Sequence, residues 1–197
     1  MMVADHSNRP DDSAPLAKPS EHPRPTAAGT GWSALFARAM TMDDDTWARH
    51  ANPWSVWTRV ATLPLLLLAL YSAHWIGWWS LVPIALTCLW IWYNPRAFPP
   101  PATTDSWAAR GTLGERVWLN RATTPIPAHH ARAALVLSTL ASLGLPIAAF
   151  GLIVANPWAV ITGGTIVYAG KMWFVDRMVW LYQDMKDAHP DYAAWLR

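Results

Sequence analysis

Two long stretches of this chain, residues 60–95 and residues 133–170, contain no Asp, Glu, Lys or Arg and consist mainly of Leu, Ile, Val, Ala and Trp. A continuous helix over either stretch would run for about 55 Å, whereas a bilayer core of about 30 Å needs only about 20 residues. Each stretch is therefore long enough for two spans. The pattern predicts an all-α membrane protein with four transmembrane helices in two hairpins, plus short cytoplasmic interfacial helices. The hairpin turns are expected at His74-Trp75-Ile76-Gly77-Trp78-Trp79 and at Ala155-Asn156-Pro157-Trp158, where interfacial residues, a helix cap and a proline at the first helical position interrupt the apolar run. Asn52-Pro53-Trp54 repeats that cap, so the first helix should start at Pro53, and Asn94-Pro95 should stop the second.

The basic residues set an orientation. Of the 15 Lys and Arg residues, six precede residue 60, five lie within residues 96–132 and four follow residue 170. By the positive-inside rule, both termini and the central loop are cytoplasmic, and most of the 15 tryptophans form anchoring belts, Trp75, Trp78, Trp79 and Trp158 at the outer interface and Trp54, Trp57, Trp90, Trp92, Trp173 and Trp180 near the inner one. Only 14% of the residues are charged, against about a quarter in soluble domains, which removes the ordinary soluble class. The net charge of +2, without a basic run among exposed aromatics, excludes a nucleic-acid partner. A single cysteine, Cys88, excludes a disulfide framework, a CxxC redox pair and a thiolate zinc site.

Six segments follow along the chain. Residues 1–31, rich in proline and polar residues and without the apolar core of a signal peptide, read as a disordered cytoplasmic tail. Residues 32–52 form an interfacial segment in which Trp32, Leu35, Phe36 and Ala39 share one helical face. Residues 53–95 are the first transmembrane hairpin. Residues 96–128 are a cytoplasmic loop with an interfacial helix around Leu113, Val117 and Trp118. Residues 129–185 are the second hairpin, and residues 186–197 a cytoplasmic tail. In the second hairpin, Ala134, Ser138 and Ser142 are expected to face Ala159 and Gly163, small residues that let helices approach closely.

Two constellations carry candidate chemistry. Arg59, Arg96, Arg132, Lys171 and Arg177, with Asn52 and Trp54 nearby, stand at the inner helix ends and form a rim for an anionic lipid or an amphipathic small molecule. His50, His129 and His130, on the same side as Glu115 and Asp176, supply imidazole and carboxylate. The three histidines are candidate metal ligands, and Glu115, Asp176 and His50 candidate acid–base groups. The HxxxH, HxxHH and HExxH boxes, a Gly-rich phosphate loop and a nucleophile elbow are all absent, so no cofactor is specified. Three functions stay open: a binding or accessory subunit that engages membrane lipids or an amphipathic ligand, a membrane-embedded enzyme acting on a lipid-soluble substrate, and a structural partner of another membrane protein or of a second copy.

The runs Arg49-His50-Ala51-Asn52-Pro53-Trp54-Ser55-Val56-Trp57-Thr58-Arg59, Asn94-Pro95-Arg96-Ala97-Phe98-Pro99 and Gly114-Glu115-Arg116-Val117-Trp118 resemble a family of small tryptophan-rich bacterial and haloarchaeal membrane proteins of unknown function. The resemblance covers about residues 46–185. It implies a multi-pass protein of a bacterial inner (cytoplasmic) membrane. It marks His50, Asn52, Trp54, Arg59, Asn94 and Glu115 as motif-bearing positions and implies no activity.

Overall fold

The structure, a computed structural model, describes residues 42–196. The tail over residues 1–31 and the helix expected around Trp32, Leu35, Phe36 and Ala39 lie outside the described residues. Regular structure among the described residues is helical throughout.

Helix α1 (Asp44–His50) starts from Asp43, whose carboxylate accepts the Thr46 backbone N–H at 2.8 Å. Helix α2 (Pro53–Val60) starts from Asn52, whose side chain accepts the Trp54 N–H at 2.9 Å, as the cap-proline pattern predicts. Helix α3 (Thr62–Tyr71) and the short α4 (Ala73–Ile76) follow, then a 3-10 turn (Gly77–Ser80) and α5 (Leu81–Ala97). Gly77, at φ +56°, reverses the chain there, and α3 packs against α5. Helix α6 (Trp107–Leu119) is capped by Ser106, helix α7 (Ala128–Ile153) follows Pro127, and α8 (Pro157–Met185) is capped by Asn156 through the Trp158 and Ala159 N–H groups. A last turn, α9 (Pro190–Ala194), folds back on α8, where the Tyr182 hydroxyl donates to the Tyr192 carbonyl at 2.9 Å.

Helices α7 and α8 share the most extensive helix–helix contact among the described residues. A Cβ on Gly163 would overlap the Ala148 backbone, and one on Gly170 would come within 2.8 Å of the Ala141 Cβ. The α7 face buried here carries Ala134, Leu137, Gly144, Ala148 and Gly151, whereas Ser138 and Ser142 are exposed. Strict spacing of four drifts by about 40° per step around a helix of 3.6 residues per turn, so the expected Ala134, Ser138, Ser142 stripe rotates out of the contact. Helix α6 lies against α8 through Gly111 and Gly114, and the core of Leu113, Val117, Ala134, Met178, Leu181 and Tyr182 sits where α6, α7 and α8 meet. The interfacial helix expected in the central loop is thus a packed element of the domain.

The four transmembrane helices in two hairpins are corrected by the structure, and with them the multi-pass inner-membrane topology with both termini cytoplasmic. Among the described residues, two helical runs are long and apolar enough to cross a membrane: Pro53–Ala97 and Ala128–Ile153. Two physical features account for the difference. The run Pro53–Ala97 is broken into α2, α3, α4, a 3-10 turn and α5 of 8, 10, 4, 4 and 17 residues, so apolar length overstates helix length. Helix α8 has the length but carries Gly163, Gly164 and Thr165 in its first half and Lys171, Asp176, Arg177 and Asp184 in its second, which takes it below the apolarity a span requires. Asn94-Pro95 also fails to stop α5, which continues to Ala97 with Asn94 and Pro95 buried. The two candidate runs bury only 11% and 22% of their most apolar windows, unlike the core helices of soluble proteins. Trp54, Trp75, Trp78, Trp79, Trp158 and Trp173 are likewise exposed, giving the molecule a tryptophan-rich surface.

Candidate functional site

The α7–α8 register decides which polar side chains meet at the end of the domain. The turn at Ala155 and Asn156 sets Gly151 against Val160 and Gly170 against Ala141. Extended by equal counts along both helices, the same register sets His130 against the last two turns of α8. There His130 Nε2 lies 2.8 Å from Asp184 Oδ2, and His129 Nε2 lies 3.9 Å from the same oxygen. The three ligand atoms fall within 4.8 Å of one another, and the imidazole centroids are 4.1 Å apart. His130 is buried, whereas His129 and Asp184 are open to solvent. Of the residues singled out from the sequence, His129 and His130 come together here. In the sequence these two group with Glu115 and Asp176, and Asp184 falls on a stripe of α8 with Trp173, Arg177 and Trp180. The register about the Ala155 turn sets His130 opposite Leu181, with Asp184 three residues further along α8.

His50 lies in a second cluster, built from α1, α2, α5, α6 and α8. Its Nδ1 is 3.3 Å from Ser55 Oγ, and its Nε2 contacts Arg59 Nη1. Ser55 Oγ donates to Asn94 Oδ1 at 2.9 Å, Asn94 Nδ2 donates to Thr58 Oγ1 at 2.8 Å, and Thr58 Oγ1 donates to the Trp54 carbonyl at 2.6 Å. Because the single Ser55 hydroxyl proton is used on Asn94, elimination assigns Nδ1–H of His50 as the donor to Ser55, and Nε2 as the acceptor from Arg59. His50 is therefore a neutral imidazole with both nitrogens engaged. Burial, and then the Arg59 charge, holds its pKa down at about 3. Ser55 and Thr58 are members of this network that sequence reasoning missed.

Glu115 projects from α6 between two cations. Lys171 Nζ donates to its Oε1 at 2.6 Å, and Arg59 Nη2 lies 3.8 Å from its Oε2. Burial pushes the Glu115 carboxyl up, but Lys171 and Arg59 outweigh it and hold the group at about 2. One carboxylate thus faces two cations, and the neutral His50 adds no charge.

The remaining candidates are dispersed. Arg96 donates to the Trp92 carbonyl at 2.9 Å and covers the Trp92 ring, and Arg132 is exposed on the first turns of α7. Asp176 accepts from Trp107 Nε1 at 3.1 Å and from Arg177 at 3.2 Å, and Arg177 also lies over Trp180. Asn52 caps α2 and donates to the Pro99 carbonyl at 2.9 Å, while Trp54 is exposed. Of the five basic residues expected to form one rim, the structure brings Arg59 and Lys171 together at Glu115.

Fold and site define a class: an all-α protein with two apolar helical runs, a tryptophan-rich surface and a polar end where histidine and carboxylate meet. More particularly, the chain belongs to the family of unknown function DUF6653, whose model matches residues 32–196. Neither the curated proteins nor the solved structures contain a match to this chain.

Proposed function

We propose that the chain is a membrane-associated, metal-dependent enzyme in which His129, His130 and Asp184 hold one divalent transition metal. The observation that carries this reading is the convergence of two imidazole nitrogens and one carboxylate oxygen within 4.8 Å. Three such donors suit Zn²⁺ in a catalytic site, or Fe²⁺ on a two-histidine, one-carboxylate face, each with positions left open. A tetrahedral zinc with bonds of about 2.0–2.1 Å separates its ligand atoms by about 3.3 Å. The 2.8 Å and 3.9 Å separations to Asp184 Oδ2 bracket that value. The metal, when bound, supplies a Lewis acid and a water ionisable near neutral pH. Burial of His130 gives the set one fixed ligand, and exposure of His129 and Asp184 gives substrate a way in. The exposed tryptophans and the two apolar runs support work at a membrane.

Calorimetric titration of the full chain in detergent micelles with ZnCl₂, and anaerobically with Fe²⁺, tests this. One equivalent should bind, and His130→Ala or Asp184→Asn should each weaken the affinity at least about 10-fold. His189→Ala, a change at the helix cap of α9, should leave it unaltered. Binding that is absent, or that survives both ligand variants, contradicts the metal reading.

A further inference from the structure

Between α3 and α8 runs an apolar groove of about 410 Å³, within the size range of small-molecule sites. Leu63, Leu67 and Tyr71 form one wall, and Ile161, Gly164 and Tyr168 the other. Gly164 lets the two walls meet at the floor, because a Cβ there would come within 2.6 Å of the Leu67 Cδ1 and push that side chain into the groove. Along α8 the groove extends from Pro157 to Tyr168, about 16 Å at 1.5 Å per residue. Its two walls then lead to cations. Lys171 follows Tyr168 by three residues on the same face of α8, and Arg59 precedes Leu63 by four. These are the two basic residues that share Glu115, so the end of the groove carries one positive charge more than Glu115 neutralises. Lys171 is half-exposed; its ammonium donates to Glu115 Oε1 at 2.6 Å and lies 4.7 Å from the centroid of the Phe174 ring, so its open side faces solvent.

We propose that this groove is a binding site for an anionic phospholipid, with one acyl chain between α3 and α8 and the phosphodiester held by Arg59 and Lys171. Charge complementarity selects the occupant. A phosphodiester brings one negative charge, which matches the single excess positive charge, whereas a phosphate monoester or pyrophosphate would overfill it. An apolar channel whose two walls continue, about one helical turn beyond its end, to two cations matches a hydrocarbon chain attached to an anionic head, not a free ion or a neutral oil. The site is separate from the metal cluster, since Lys171 and Asp184 are about 20 Å apart along α8.

The full chain is reconstituted in vesicles of equal phosphatidylglycerol and phosphatidylcholine, extracted in mild detergent, and its retained lipid measured by native mass spectrometry. Wild type should retain one phosphatidylglycerol in preference to phosphatidylcholine. Gly164→Leu, which fills the floor against a flexible side-chain tip, and Lys171→Gln, which removes the half-exposed cation, should each reduce that retention at least about fivefold. Both variants should keep the wild-type far-UV circular dichroism spectrum and a monodisperse elution in detergent, which separates loss of the lipid site from loss of the fold. Equal retention of the two lipids, or retention unchanged in either variant, overturns the proposal. Inorganic phosphate followed by ³¹P NMR should not bind with comparable affinity, and phosphate binding that is indifferent to Gly164→Leu would replace the lipid by a free anion.

Discussion

Gly114→Ala is expected to cost at least about 3 kcal/mol, one of the largest effects available from adding a single methyl group. Gly114 sits where α6 crosses α8, and a Cβ built there would overlap the Met178 carbonyl group, a part of a rigid helix backbone that cannot swing away. Separating the two helices would open the core around Leu113, Val117 and Met178, all buried. Gly111→Ala, one turn earlier, makes a graded comparison. Its Cβ would meet the Val175 Cγ1 at 2.7 Å, a single side-chain methyl and not backbone, so a smaller cost of about 1–2 kcal/mol is expected. Thermal unfolding in detergent micelles should place Gly114→Ala roughly 6 to 12 °C below wild type and Gly111→Ala between them. A Gly114→Ala midpoint within about 2 °C of wild type would mean that α6 is not seated on α8 as described.

Acidification should destabilise the fold through His50. Burial and the adjacent Arg59 hold this imidazole near pKa 3, against about 6.5 when unfolded. Below pH 6.5 the unfolded chain therefore binds a proton that the folded chain refuses, and stability falls as pH falls, with a slope of about 1.4 kcal/mol per pH unit. The loss should amount to roughly 2 to 3 kcal/mol between pH 6 and pH 4. Glu115 acts in the same direction at lower pH. Its folded pKa of about 2 is below its unfolded value of 4.5, so its contribution is present above pH 4.5 and lost on further acidification. His50→Gln keeps a neutral polar side chain at the site and should flatten the curve between pH 6 and pH 4 while leaving the lower segment. A variant that loses stability with pH as steeply as wild type over that interval would remove His50 as the group responsible.

What was legible in the sequence was local. The Asn52-Pro53 and Asn156-Pro157 pairs start α2 and α8 as read, because a capping side chain and a proline act on the nearest turn alone. The reversal at Gly77 falls inside the expected turn for the same reason. Span number was not legible, since it depends on where helices break and on how charge dilutes an apolar face. The break at Ala61 between α2 and α3 is announced only by Pro64, which lacks the N–H that would bond the Val60 carbonyl, and a proline within a span is equally compatible with a kinked continuous helix; the charges from Lys171 onward outweigh the apolar start of α8.

The candidate site divides in the same way. His50, Arg59 and Glu115 were visible as chemistry-bearing residues, but Ser55, which decides the tautomer of His50, reads in sequence as an ordinary first-turn serine. His129 and His130 were visible as a pair, yet their carboxylate partner lies 54 residues from His130 and is fixed by the packing of α7 on α8. The glycines at positions 144, 151, 163 and 170 set that packing, and a register traced from the Ala155 turn through them sets His130 opposite Leu181, one turn of α8 before Asp184. Asp176, eight residues nearer the turn, is used instead by Trp107 and Arg177.

The most direct test of the account is zinc K-edge X-ray absorption on the full chain loaded with one equivalent of the metal. Imidazole scattering from two histidines is expected, with nitrogen and oxygen neighbours at about 2.0–2.2 Å, reduced by one imidazole in His130→Ala. A shell of oxygen alone, or a two-imidazole spectrum that is unchanged in His130→Ala, would contradict it.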